Sequence, residues 1–180
     1  TTKLYNIANY NMRSLNYKSY RVNEKNYKSN FHSQYLASHN YQQCLKLLDQ
    51  NWKSYFAARD EHKKHPEKFT GKPEQPGFKH TEKNKNEVIF TKNLIRGTGS
   101  DKILKDGNLR LTLSKKMQNK YGVKSLNFNM MNVKIPSKIG LSKDFSNIQQ
   151  IRFVFDKKLK VWYFIFIYEV EEQIPFPYLD

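Results

Sequence analysis

Three stretches of the chain carry side chains that could do chemistry. Asp60, Glu61, His62 and His65 stand close together where a helical pattern ends, and imidazole beside carboxylate is the donor set of a divalent-metal site. In a lysine-rich run the same residues also read as a solvated last turn, where His and Lys complement the helix dipole. Glu169, Glu171 and Glu172 follow a strand-like run and could act as acid and base, or form a polar exit. Gly97-Thr98-Gly99-Ser100 has the glycines of a phosphate-binding turn but neither the following lysine nor a helix signal. Cys44 is the only cysteine, which excludes an intramolecular disulfide and any CxxC zinc knuckle, and points to a reducing compartment. No catalytic residue and no cofactor is expected from this set.

Binding is the better use of these residues. Lys and Arg number 32 against 16 Asp and Glu, a formal charge of +16, which favours an anionic polymer or surface as partner. A membrane span is not expected, because the longest apolar run, VWYFIFIY at 161–168, has the length of a strand. Aromatic residues make up 14% of the chain, and many tyrosines lie beside Asn, Lys or Arg. Bases stacked between phosphate-neutralising cations use that mixture; AT-rich codon usage enriches the same residues. Lys53, Arg59, Lys63 and Lys64 lead out of a helix, Lys68, Lys72, Lys79, Lys83 and Lys85 continue through a proline-rich stretch, and Lys92 and Arg96 follow. As a series they read as a nucleic-acid surface, each phosphate neutralised adding nearly one unit to the salt slope of duplex binding.

The elements that must position these cations are legible from periodicity. Leu4, Ile7, Ala8, Met12 and Leu15 recur at helical spacing and predict an amphipathic first helix, whereas Tyr20 to Lys28 is polar and predicts a loop or frayed helix. From a cap at Ser38 or Asn40, a second helix is predicted to about His62, with Tyr41, Cys44, Leu45, Leu48, Trp52, Tyr55 and Phe56 as its buried stripe. Beyond 81 the pattern alternates: NEVIFTKNLI at 86–95 reads as one strand, and Leu109, Leu111 and Leu113 belong to a hairpin around Asp106-Gly107. Residues 115–146 stay ambiguous, broken by Gly122, Pro136 and Gly140. IQQIRFVF at 148–155 puts Ile151, Phe153 and Phe155 on one face, and KVWYFIFIYEV at 160–170, apolar on both faces, predicts a central or doubly covered strand. The fold class is α+β, a helical lobe over 1–64, a basic proline-rich crossing over 65–81, an antiparallel β domain over 82–172 and an exit over 173–180.

YNIANYNMR, YQQCLKLLDQNWKSYFAA, HPEKFTGKPEQPGFK, NEVIFTKN, DGNLRLTL and NIQQIRFVF with WYFIFIYEVEE resemble, in that order, the N-terminal half of transposon-encoded TnpB proteins, the OrfB-type transposases. Such proteins are RNA-guided DNA endonucleases related to type V CRISPR effectors. They carry a helical recognition lobe inserted in an OB-like barrel, the wedge domain, followed by a RuvC-like nuclease. The resemblance therefore implies an OB-like wedge, a guide RNA from the transposon end, double-stranded target DNA, and a prokaryotic cytoplasmic, nucleoid-associated location. The first wedge strand would precede Thr1, and the nuclease domain with its magnesium-binding carboxylates would begin near Asp180. The chain by itself is then expected to bind without cutting, and to leave a barrel edge open to strand-mediated association.

By the same resemblance, Gln42, Gln43, Thr91 and Asn93 would touch the duplex motif flanking the target, with Lys92 beside them, since amides and hydroxyls read base edges. Gln42 and Gln43 read equally well as a solvent-facing helix turn. Lys53, Arg59, Lys63, Lys64, Lys72 and Lys79 would hold phosphates. Proline fixes backbone angles and removes donors, so 65–80 is expected to be a semi-rigid crossing, with Phe78 seating it on the barrel. A non-catalytic DNA- or RNA-binding regulator derived from such a protein is the alternative, and a general ribosome-associated RNA-binding protein the third.

Overall fold

The computed structural model describes residues 1–80, 87–96, 108–129 and 148–169. The first half is helical: α1 (Thr2–Leu15), α2 (Tyr20–Tyr27) and α3 (Ser38–Lys64), with a 3₁₀ turn at Ser33–Tyr35 before α3. α3 has 27 residues, about 40 Å at the standard rise. Its predicted stripe is what packs: Tyr41, Cys44, Leu45, Leu48 and Trp52 are buried, and Tyr55 and Phe56 pack partly buried against them. α1 brings Leu4, Tyr5, Ala8 and Met12 to the same core. Its buried face is rotated from the predicted one, because Leu15 is exposed while Tyr5 and the polar Asn9 are inside. Apolar periodicity scores Asn9 as a surface residue and cannot see the hydrogen bonds that bring it in.

The expectation of a loop or frayed helix over 20–28 is corrected: α2 is a helix, and tertiary contacts rather than propensity form it. Its first N–H, that of Tyr20, donates to Asp49 Oδ1 on α3 at 2.8 Å, so a side chain from another helix does the work of a cap. Asn23 and Tyr27 are buried, Asn23 donating to Lys18 O at 2.8 Å and Tyr27 Oη accepting from Asn11 Nδ2 at 2.6 Å. The N-cap of α3 is likewise Ala37, with no side-chain cap bond, in place of Ser38 or Asn40.

The second half holds β1 (Val88–Thr91), β2 (Ile95–Arg96), β3 (Asn108–Thr112), α4 (Lys115–Tyr121), β4 (Ser125–Asn129), β5 (Ile148–Asp156) and β6 (Val161–Tyr168). They form two three-stranded antiparallel sheets, ordered β1-β5-β6 and β2-β3-β4. Among the described residues these sheets do not close into a barrel. The single strand predicted over 86–95 is instead two, separated by a 3₁₀ turn at Lys92–Leu94. In a straight strand Phe90 and Ile95 would face opposite ways; the turn sends both into one core with Leu109, Leu111, Ile148 and Ile151. β3 pairs with β2 through Ile95↔Leu111 and with β4 through Leu109↔Phe128. The turn at Asp106-Gly107 lies outside the described residues. The described part of the ambiguous stretch, 115–129, resolves into α4 and β4, while its remainder with Pro136 and Gly140 lies outside the described residues. α4 is capped by Ser114 Oγ accepting from Met117 N at 3.3 Å and ended by Gly122 at φ 67°, a backbone state open to glycine at little cost.

Among the described residues β6 is neither the central nor the doubly covered strand its composition predicts. β5 occupies the middle, pairing with β1 on one side and β6 on the other, and Val161, Trp162, Tyr163 and Ile165 on β6 are 42–45% exposed. Alternation tells which residues share a face; it carries no information on which strands are neighbours.

A buried hydrogen bond joins the two halves. Asn40 Nδ2, on the first turn of α3, donates at 2.6 Å to the carbonyl of Ile89 on β1, the outer strand of its sheet. Ala37 is buried in the β-side core beside it. Asn40→Ala is expected to cost about 1–3 kcal/mol, the range for a buried acceptor left unmet. Urea denaturation checks it, and an unchanged midpoint would mean that the carbonyl finds another donor.

Candidate nucleic-acid interface

The proline-rich crossing is held by three side chains spaced along one face of α1. Asn6 pairs with the main chain of Lys79 in both directions, Nδ2 donating to Lys79 O at 2.7 Å and Lys79 N donating to Asn6 Oδ1 at 2.8 Å. Asn9 Nδ2 donates to Pro76 O at 2.8 Å, while its Oδ1 accepts from Trp52 Nε1 at 3.0 Å. Arg13 donates to Pro76 O and Gln75 O, both at 3.2 Å, and lies 5.1 Å over the Phe78 ring. Prolines cannot supply N–H donors, so carbonyls are what the strap offers, and amide and guanidinium donors are what α1 presents. The strap is therefore a fixed element and not a slack tether. Its partner differs from the expected one: Phe78 is half exposed and rests against α1, not on the β domain.

The predicted cations divide by what already holds them. Lys53 pairs with Asp49 Oδ2 at 2.7 Å, and Arg59 with Asp60 at 2.9 Å while stacking over Phe56 at 5.3 Å. Lys63 lies 3.8 Å from Asp60. Lys64 and Lys72 are exposed and make no ion pair among the described residues. Lys79 Nζ sits 5.8 Å over the ring of Tyr5. Tyr5, Tyr55, Phe78 and Lys79 line a cleft of about 380 Å³ between strap and helices, with the amide of Asn51 donating to Tyr5 Oη at 3.0 Å.

The residues nominated for base contacts lie on the two sides of the Asn40–Ile89 junction. Gln42 turns toward α2, its Nε2 3.5 Å from Glu24 Oε1. Tyr41 also donates to that carboxylate, and this bond, first among the causes, holds the Glu24 carboxyl below its usual range. Gln43 is half-buried. Thr91 Oγ1 is buried without a hydrogen-bond partner among the described residues, so a base contact from it requires the following turn to open. Lys92 and Asn93, on that turn, are exposed. Lys83 and Lys85 lie outside the described residues.

The candidate chemical clusters are taken up by local pairs. Lys68 Nζ binds Glu61 at 3.0 Å, His65 Nδ1 lies 3.3 Å from Glu67, and His62 packs edge-on to Phe69. No three His, Cys, Asp or Glu side chains converge on a metal position among the described residues. Glu169 accepts from Gln149 Nε2 at 2.7 Å; Glu171 and Glu172 lie outside the described residues. Among the described residues no helix is long and apolar enough to cross a membrane.

Two features escaped the sequence. Asn6, Asn9 and Arg13 read as surface polarity, although their spacing on one helix face was visible. Phe31, Tyr35, Lys116, Lys120 and Tyr121 come together from segments over 80 residues apart, which no local pattern signals. No protein-family model matches the chain, and no curated protein is similar to it.

Proposed function

We propose that the chain is the nucleic-acid-binding half of a TnpB-like RNA-guided DNA endonuclease, engaging a guide RNA and the double-stranded DNA beside its target in a prokaryotic cytoplasm. The observation that carries the proposal is a rigid strap bearing cations: Lys72 is exposed with no carboxylate partner among the described residues, and the half-buried Lys79 is fixed by its main chain. The chain as a whole has a charge of +16. Ordered cations bind phosphate at a smaller entropy cost than cations on a mobile tether. The ordered set of TnpB-like motifs supports the family reading. The strand run that passes from one antiparallel sheet to the other through a 3₁₀ corner, over a shared core, supports an open, OB-like wedge.

Sequencing the RNA that copurifies with the protein from cells tests the assignment. A structured RNA from a transposon end is the expected result, and ribosomal or random RNA overturns it. Retained duplex binding with no RNA at all would move the chain to the regulator class. At the level of residues, Lys72→Glu with Lys79→Glu is expected to weaken RNA binding at least tenfold near 0.1 M salt and to lower the salt slope by about 1.5 to 2. The far-UV spectrum should not change, since Lys79 docks through its main chain. Unchanged affinity would return the strap to a purely structural role.

A further inference from the structure

Away from the strap, a groove of about 460 Å³ lies between the turn before α3 and α4, lined by Lys3, Phe31, His32, Tyr35, Lys120 and Tyr121 among others, with no carboxylate in its wall. Its rings form an exposed aromatic cluster, Phe31 at 63% and Tyr121 at 58%. Rings and cations alternate through it. Lys120 sits 5.8 Å from the Tyr35 ring and 5.5 Å from Tyr121, and at the groove's margin Lys116, whose Nζ donates to Gln34 Oε1, sits 5.6 Å from Tyr35. Phe31 meets Tyr35 edge-on at 5.2 Å and His32 at 5.3 Å. Burial first, and then the charge of Lys3, lowers the His32 pKa, so that ring is neutral at pH 7 and adds surface rather than charge.

We propose that this groove holds an unpaired segment of nucleic acid, its bases stacked on Phe31 and Tyr121 and its phosphates drawn by Lys3, Lys116 and Lys120. Exposed rings bearing cations suit a base with its phosphate, because every base has a π-face and the adjoining charge is always negative. A duplex keeps its bases stacked on one another and offers these rings nothing. The inference rests on the nucleic-acid reading of the chain but assigns a second surface with a different preference: single strands here, phosphate backbone at the strap.

The test is fluorescence anisotropy with a labelled 12-mer of oligo(dT) and a blunt 12-base-pair duplex, in the same buffer. Phe31→Leu and Tyr121→Leu keep apolar bulk but remove the ring. Each is expected to weaken the single strand roughly tenfold, leaving duplex affinity, salt slope and melting temperature unchanged. Equal loss on both probes, or no loss on the single strand, overturns the groove while leaving the strap reading intact. Wild-type protein that binds neither probe removes the nucleic-acid reading itself. A poly-glutamate peptide that competes for the groove when oligo(dT) does not would reassign it to a protein partner.

Discussion

Asn9→Leu is expected to lower the unfolding free energy by about 2–4 kcal/mol, although it exchanges a polar residue for an apolar one of the same branching, somewhat larger, at a fully buried position. Burying more carbon would normally stabilise. Here the amide completes two bonds, from Trp52 Nε1 and to Pro76 O. Leucine leaves an indole N–H buried without an acceptor, and each unmet group costs about 1–3 kcal/mol, which exceeds the gain from a side chain already out of water. The strap also loses its central attachment. Urea denaturation followed by tryptophan emission measures the first effect, and faster tryptic cleavage after Lys68 and Lys79 the second. A midpoint equal to that of the wild type would refute the account of why Asn9 is inside.

The second large effect is at Asp49, and it depends on pH. Its carboxylate accepts from Tyr17 Oη at 2.7 Å and from Tyr20 N at 2.8 Å, and pairs with Lys53 at 2.7 Å. Burial alone would raise its pKa; the bond from Lys53, then those from Tyr17 and the Tyr20 N–H, outweigh burial and hold it below the usual carboxylate range. A carboxyl with a depressed folded pKa gives stability that is present above its unfolded value, about 3.9, and lost as the pH falls through the folded value. Asp49→Ala is therefore expected to cost about 2–4 kcal/mol at pH 7, a difference that shrinks below about pH 4. Tyr17 sets the alkaline limit. Burial, then the bond to Asp49, pushes its hydroxyl up to about 12, so its contribution is complete below about pH 10 and lost as the pH rises toward 12.

Asp49→Asn separates the partners. The Lys53 side chain is 65% exposed, and an ion pair of that kind is worth under about 1 kcal/mol. An asparagine oxygen can still accept from Tyr17 and Tyr20. The expected loss is thus about 1 kcal/mol, without the acid dependence. A loss equal to that of the alanine variant would place the energy in the Lys53 pair instead.

What could be read in advance follows the range of the interactions. The stripe of α3 and the inward leucines of β3 were legible because a period of 3.6 or 2 is a local property. α2 was not, since its cap is a carboxylate 29 residues away. Nor was the place of β6, because strand order is set by pairing and not by composition. At the interface, the i,i+4 spacing of Asp49 and Lys53 was a visible sign that this lysine had a partner. The exposed state of Lys72 and the grouping of Phe31 with Tyr121 depend on the folded chain, and the partner of Phe78 was assigned to the β domain because nothing local distinguishes it from α1.

The reciprocal pairing of Asn6 with residue 79 has a consequence for how this protein can change. A strap whose hydrogen bonds to α1 all run through its own carbonyl and amide groups makes little demand on most of the side chains it displays, apart from the Phe78 ring under Arg13 and an N–H at position 79. Mutation can therefore rewrite the charge and reach of the strap one residue at a time while α1 goes on holding the same backbone. Substitutions that alter the displayed side chains would then leave the strap in place, whereas those at Asn6, Asn9 and Arg13 on the helix beneath would release it.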